Sequence, residues 1–313
     1  MYQVINFYHF FPFVESAQDE LASRLRAIER SEPTLGGLVL LSNEGINVTV
    51  ASQGDGAAAV LACCEQYADL STTLIKRHSS PKRPFRRFTI DKRVEIITYR
   101  GEESLGDPVL FGGPNETFLS PKEWHHLLES GEPVTLIDTR NSYEVELGTF
   151  RGAKSPNIDR FSEFAPWLEQ NPPPLDRKVL VFCTGGVRCE KVVIDLKSKG
   201  YDQVYQLHGG ILAYLEQFPD QHFEGECFVF DHRVSVDQHL NPSQSHFLCN
   251  LCGDPTTEQK LCPQLCACCG NYAAICDRCV EHESGIACSK NCRYHLQRRS
   301  SSTARRSGTT IGT

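Results

Sequence analysis

Apolar and polar positions along this chain change their rhythm several times, and each change marks an element. Residues 4–10 read as a strand, and residues 17–28 carry Leu21, Leu25 and Ile28 at helical spacing. Residues 38–41 and 46–50 are apolar runs on either side of Ser42-Asn43-Glu44-Gly45, a hairpin signal. Residues 57–67 predict a second helix, and residues 74–76 and 94–98 predict further strand. Residues 101–117 are rich in glycine, acid and proline and predict a linker. After it Ser120 is suited to cap a helix, Pro121 to its first position, and Glu123 to close a capping box. Residues 134–137, 179–182 and 204–207 are short apolar runs that predict buried parallel strands. A helix over residues 189–198 follows the second run, with Val192, Val193 and Leu196 on one side. Beyond residue 223 apolar periodicity gives way to cysteine pairs, and residues 297–313 form a polar, basic tail expected to be disordered.

These elements predict a multidomain α/β protein. The order β-α-β-β-α-β over residues 1–100 suits a ferredoxin-like or acylphosphatase-like α+β sandwich. Residues 118–222 predict an α/β domain with a parallel sheet, helices on both faces, and its site at the carboxyl ends of the strands. Residues 223–296 predict a cysteine-rich module.

Composition narrows the class. Of 313 residues, 40% are hydrophobic and 23% charged, as in a soluble globular protein. No apolar run reaches membrane-spanning length, and the N-terminus lacks a basic leader, so a cytoplasmic protein is expected. The net charge of −7 gives no overall attraction for nucleic acid, so any basic site must be local. Residues 76–93 supply one: Lys76, Arg77, Lys82, Arg83, Arg86 and Arg87 surround Phe85, and Asp91 is the only acid. Basic groups interleaved with aromatics suit a phosphate backbone and unstacked bases. A solvated charged face is the plainer alternative.

The strongest chemical signal is Cys183-Thr184-Gly185-Gly186-Val187-Arg188-Cys189-Glu190-Lys191. Cys183 ends an apolar strand and precedes a helix N-terminus, where unpaired N–H groups and the helix dipole favour an anion. Arg188 adds positive charge. Both effects lower a thiol pKa from about 8.5. The expected species is a thiolate cradled by the amides of Thr184, Gly185, Gly186 and Val187. Arg188 is also suited to bind phosphate or stabilise an oxyanion.

Cysteine distribution points to metal. Ten of the fifteen cysteines lie between Cys249 and Cys292. In a reducing compartment such a cluster binds metal more often than it forms disulfides. Cys249, Cys252, Cys276 and Cys279 form two Cys-x2-Cys knuckles suited to one tetrahedral zinc. Cys288 and Cys292 form another close pair, and two of Cys262, Cys266, Cys268 and Cys269 must complete a second site. Such a module is expected to be structural, because a small loop-rich segment otherwise lacks a core.

The loop at Cys183 resembles the active-site loop of the rhodanese fold, in which a cysteine opens the loop and an arginine comes five residues later. Asp138-Thr139-Arg140 and the Gly148–Ala153 stretch fit the same resemblance, which implies that Asp138 and Arg140 mainly hold the sheet end and loops in place. The longer string through Lys191, together with Ser42-Asn43-Glu44-Gly45-Ile46-Asn47, resembles the oxygen-dependent tRNA uridine hydroxylases of the wobble position, a rhodanese-related family. The resemblance covers about residues 1–293. It implies Cys183 as nucleophile, the tRNA anticodon loop as partner, molecular oxygen as co-substrate, and 5-hydroxyuridine as product. The family's cysteine spacing favours Cys262, Cys269, Cys288 and Cys292 as the second zinc set. Cys189 stands where serine is common in rhodanese loops.

No glycine fingerprint for flavin or nicotinamide occurs, and no organic cofactor is evident. The expected chemistry is addition of the Cys183 thiolate to C6 of uracil, which makes C5 nucleophilic. Arg188 would stabilise the enolate oxygen, and Cys189 would resolve an oxidised Cys183. The electron donor is not named by the residues. Two alternatives stand beside this reading: a sulfurtransferase carrying a persulfide on Cys183, and a noncatalytic RNA-binding adaptor.

Overall fold

The computed structural model describes residues 1–81, 83–85, 87–99, 116–231, 233–257, 261–282, 286–289 and 291–296, the side chains of 261–264, 274 and 282 excepted. The chain divides into two compact units, Met1–Asn241 and Pro242–Thr313. Among the described residues no helix is long and apolar enough to cross a membrane.

The first unit begins with β1 (Tyr2–Phe10), α1 (Glu15–Ser31), β2 (Gly36–Ser42), β3 (Gly45–Ser52), α2 (Gly56–Cys64), β4 (Lys76–Ser80) and β5 (Phe88–Lys92). The sheet order is β4-β1-β3-β2-β5, and β5 joins parallel to β2. In β2 Leu38 is exposed, whereas Val39 and Leu41, on the opposite face, are wholly buried in the core. There they meet Leu21 and Leu25 of α1 and Val60 of α2. This is the predicted α+β sandwich.

Two strands differ from expectation. Strand was predicted over residues 74–76 and 94–98, whereas the structure forms β4 and β5. β4 is the polar edge segment Lys-Arg-His-Ser-Ser, which gives no apolar alternation. Residues 95 and 96 are instead occupied with a packing surface: Glu95 and Ile96 are buried, and the Ile96 amide donates to Glu44 Oε1 at 2.8 Å.

The same unit continues with β6 (Phe118–Leu119), α3 (Pro121–Glu129), β7 (Val134–Asp138), α4 (Ser142–Val145), β8 (Gly148–Phe150), α5 (Phe164–Gln170), β9 (Lys178–Phe182), α6 (Val187–Ser198), β10 (Val204–Leu207) and α7 (Gly210–Leu215). The capping box of Ser120 and Glu123 forms at the start of α3. Four strands pair in parallel in the order β6-β10-β9-β7. Alternation along β9 divides its side chains. Val179 and Val181 pack with Phe164 of α5 and with Val192 and Leu196 of α6. Leu180 and Phe182 pack with Trp124 of α3 and Tyr214 of α7. Helices therefore cover both faces, and the carboxyl ends of the strands are left to build a site.

The α+β sandwich and the parallel-sheet domain are locked by buried charge. Lys191 Nζ of α6 lies 2.9 Å from Glu44 Oε1 and 2.6 Å from Glu95 Oε1, and all three side chains are buried. Beside them the Tyr99 hydroxyl donates to Asp195 Oδ2 at 2.8 Å. Tyr8 donates to Glu190 Oε1 at 3.0 Å.

The first unit ends with β11 (Phe223–Gly225), paired with β8, and with β12 (Cys227–Phe228) paired with β13 (Ser235–Val236). In the second unit β14 (His246–Leu248) pairs with β15 (Pro255–Thr257), and β16 (Leu261–Leu265) with β17 (Tyr272–Cys276), followed by α8 (Asp277–His282).

Candidate active site and metal centres

Cys183 follows the last residue of β9 and is wholly buried. Its sulfur accepts the Gly186 amide at 3.0 Å. Gly186 has a φ of 110°, a conformation natural to glycine, and a Cβ there would stand 2.8 Å from the Tyr8 hydroxyl. α6 begins at the next residue, so its N-terminal end faces the sulfur.

The electrostatics favour a thiolate. Burial alone pushes the Cys183 thiol up. A hydrogen bond from the Cys189 thiol, the Arg188 charge, and the Gly186 and Arg188 amides outweigh it and hold Cys183 well below the ordinary range. Cys189 moves the other way, raised by burial and by its bond to Cys183, with Thr139 Oγ1 at 3.7 Å. One thiol of the pair is held ionised and its neighbour protonated.

Arg188 is placed differently from a free phosphate ligand. Its Nη1 and Nη2 reach Glu144 Oε2 and Oε1 at 2.6 and 2.8 Å, with both side chains buried. Thr184 Oγ1 donates to the same carboxylate at 3.3 Å. Glu144 thus fixes both sides of the loop, and the sequence reading gave it no part. The exposed Phe230 ring lies 5.9 Å from the Arg188 guanidinium carbon. Arg140 and Asp138 form a fully buried pair at 2.7 Å. Arg140 also donates to the Gly148 carbonyl at 2.5 Å, so the pair ties the end of β7 to β8.

The basic stretch is split. Arg77, Arg83 and Arg87 are exposed, and Phe85 is half-buried. Lys82 and Arg86 lie outside the described residues. Lys76 turns away from its neighbours into the catalytic loop, where its Nζ donates to the Gly185 carbonyl at 3.2 Å and the Gly209 carbonyl at 2.5 Å. Burial lowers its pKa to about 8, against the opposing pull of Cys183, Cys227 and Glu216. A cleft of about 270 Å³ opens at this point, with Tyr8, Phe10, Lys76, Phe118, Gly185 and His208 in its walls.

The second unit gathers two sets of four sulfurs, each with all ligand atoms within 4.8 Å of one another. One is Cys249, Cys252, Cys276 and Cys279, as the spacing predicted. The other is Cys266, Cys269, Cys288 and Cys292. Cys266 is thus in this set, while the side chain of Cys262, the expected ligand, lies outside the described residues. Cys262 lies on β16 opposite Ile275, four residues or about 13 Å of strand before Cys266. Cys266 and Cys269 instead share a turn in which the Gly270 amide donates to the Cys266 carbonyl at 2.8 Å. The overlooked signal was that turn's own Cys-x2-Cys spacing.

Both sets fit zinc. A tetrahedron with zinc–sulfur bonds of about 2.3 Å has edges of about 3.8 Å. The sulfurs of Cys252 and Cys276 lie 3.9 Å apart, those of Cys288 and Cys292 3.6 Å, and those of Cys269 and Cys292 3.8 Å. Amides of Leu251 and Cys276 each donate to Cys249 Sγ at 3.4 Å, which favours the thiolate a metal requires.

Comparison with known proteins places this geometry. Residues 2–96 match the UPF0176 acylphosphatase like domain, residues 120–217 the rhodanese-like domain, and residues 224–293 the rhodanase C-terminal domain. A protein of Bdellovibrio bacteriovorus named tRNA uridine(34) hydroxylase is 40% identical over 304 residues, spanning 95% of this chain and 82% of its own. Proteins of the same name from Prochlorococcus marinus and a Picosynechococcus species are 38% and 40% identical. They match over 83% and 80% of this chain, and over 83% and 82% of their own lengths. With the matched domains in order along the chain and relatives at this level of identity, the chain belongs to the tRNA uridine(34) hydroxylase family.

Proposed function

We propose that this chain converts uridine 34 of tRNA to 5-hydroxyuridine in the cytoplasm, with molecular oxygen as co-substrate and Cys183 as nucleophile. The observation that carries the reading is the buried Cys183 sulfur, held as a thiolate by the Gly186 amide and the Cys189 thiol. The relatives' name supports the choice of substrate. The thiolate bonds to C6, and C5 becomes nucleophilic. C5 takes one atom of O2, and the other leaves as water with two electrons and two protons from a donor. Loss of the C5 proton and of the sulfur restores the ring double bond. Cys189, beside Cys183, is placed to resolve an oxidised sulfur as a disulfide. Nucleoside analysis of bulk tRNA from a strain lacking the protein tests the reading. Absence of 5-hydroxyuridine-type nucleosides is expected. Loss of thiolated nucleosides instead would make Cys183 a persulfide carrier, and an unchanged profile would leave an RNA-binding protein without catalysis.

Zinc is the metal that the two sulfur sets fit, and its part is structural. Elemental analysis should find two zinc ions per chain. Cys276→Ser and Cys266→Ser should each lose one, and Cys262→Ser should keep both. Loss of an ion from Cys262→Ser, or none bound by the unaltered chain, would refute the assignment.

Substrate binding by an acidic protein must use its local basic surface. Each Lys or Arg that meets a phosphate on single-stranded RNA adds roughly 0.7 to the log–log salt slope. Arg83→Ala with Arg87→Ala should therefore weaken tRNA binding and flatten the slope by about 1.4 units. A filter-binding titration with an unchanged slope would make this stretch only a solvated face.

A further inference from the structure

The cleft beside the catalytic loop has walls suited to one kind of guest. Its volume of about 270 Å³ lies at the small end for ligand pockets, enough for a single flipped-out ring. Aromatic edges line it: Phe118 and His208 meet at 5.1 Å between centroids, and Tyr8 and Phe10 at 5.9 Å. Unstacked bases are held by such rings. Burial and the nearby Lys76 both lower the His208 pKa, which keeps its imidazole neutral near pH 7. The cation in these walls is Lys76.

Lys76 is an unusual cation to find in a wall. It belongs to the α+β sandwich, yet its ammonium is spent on the loop of another domain. Two of its three N–H groups go to the Gly185 and Gly209 carbonyls, which leaves one for a guest in the cleft that Lys76 lines. Gly185 is two residues from Cys183, and Gly210, beside the other carbonyl, would drive a Cβ to 2.5 Å from the Cys183 carbonyl. The ammonium is therefore fixed to the backbone on both sides of the nucleophile. Arg188, the other cation of the loop, has both terminal nitrogens on Glu144.

We propose that this cleft receives the extruded uracil ring and that Lys76 is a catalytic residue which binds its O4 carbonyl. The proposal rests on the hydroxylase reading above and deepens it. When the Cys183 sulfur bonds to C6, the C5–C6 π pair moves through C4 on to O4. The Lys76 N–H donates to that enolate oxygen and the ammonium neutralises its charge, in a pocket where a fixed donor acts strongly. Tyr8, tethered to Glu190, lines the cleft with its hydroxyl beside Gly186 of the catalytic loop, and it turns aside as the ring enters. The pocket thereby selects a pyrimidine with a carbonyl at C4.

The test uses full-length, zinc-loaded protein and tRNA carrying 5-fluorouridine at position 34. Addition of sulfur to C6 is read as a covalent protein–RNA band on a denaturing gel, which needs neither oxygen nor an electron donor. Lys76→Met should form the band about 10²-fold more slowly at saturating tRNA, with the protein still folded. Lys76→Arg should keep most of the rate. The groups that act on the Lys76 ammonium are Cys183 of the loop, Cys227 and Glu216, while His78 and His208 feel it in turn. Its charge is present below about pH 8 and lost above, so the unaltered protein should slow as pH rises through that value. Lys76→Arg should not slow there, a difference that a purely structural lysine would not produce. Equal rates for the unaltered protein and Lys76→Met, or the same alkaline fall in Lys76→Arg, would overturn the role of Lys76. No band with the unaltered protein would overturn C6 addition itself, and the proposal with it.

Discussion

Replacing Cys183 by alanine should remove 5-hydroxyuridine from cellular tRNA, a fall of at least about 10³-fold, as expected when a covalent nucleophile is lost. The protein should remain folded. The side chain sits in a loop, and Arg188 keeps its partner because Glu144 holds it independently of the sulfur. Cys189→Ser should be milder, since a hydroxyl can donate to the Cys183 thiolate as the thiol does. Complementation of a deletion strain, with nucleosides quantified by mass, decides the matter. Full restoration by Cys183→Ala would move the chemistry elsewhere.

The largest loss of stability should come from Lys191→Met. This change leaves Glu44 and Glu95 buried against each other with no cation between them. Removing one partner from a buried ion pair costs about 3–5 kcal/mol, read as a fall in the urea midpoint at unchanged slope. The loss should depend on pH. Burial already raises the Glu44 pKa, and without Lys191 it rises further. Between its unfolded and folded pKa values the native state then binds more protons, so the variant loses stability as pH rises through that window. At the acid end the deficit should shrink. A loss under about 1 kcal/mol near neutral pH would mean that water reaches these carboxylates.

What the sequence could reveal followed from how local the signal was. The Cys183 loop, the capping box at Ser120 and the first sulfur set are each written within a few residues or in paired short spacings. The parallel strands were legible because their apolar runs are buried on both faces. β4 was not, since its residues are polar and its place is set by pairing with β1. The roles of Glu44, Glu95, Lys76 and Lys191 were hidden for a different reason. Lys191 stands 147 positions after Glu44, and no periodicity marks which distant carboxylate meets which amine. Lys76 looked like one more member of a basic run, and only the fold turns it inward. Cys262 and Cys266 are chemically the same, and the hairpin turn alone separates their positions.

The buried triad also bears on how freely such domains can be exchanged. Lys191 belongs to the helix that follows the catalytic loop, but both of its partners belong to the preceding sandwich. A parallel-sheet domain lifted from this chain into a fusion would carry a lysine meant for the interior on its outer wall. A foreign domain inserted here would present two acids with nothing to meet. Recombination between the two domains is thereby penalised, so lineages that keep this loop and helix should inherit the two domains as one piece.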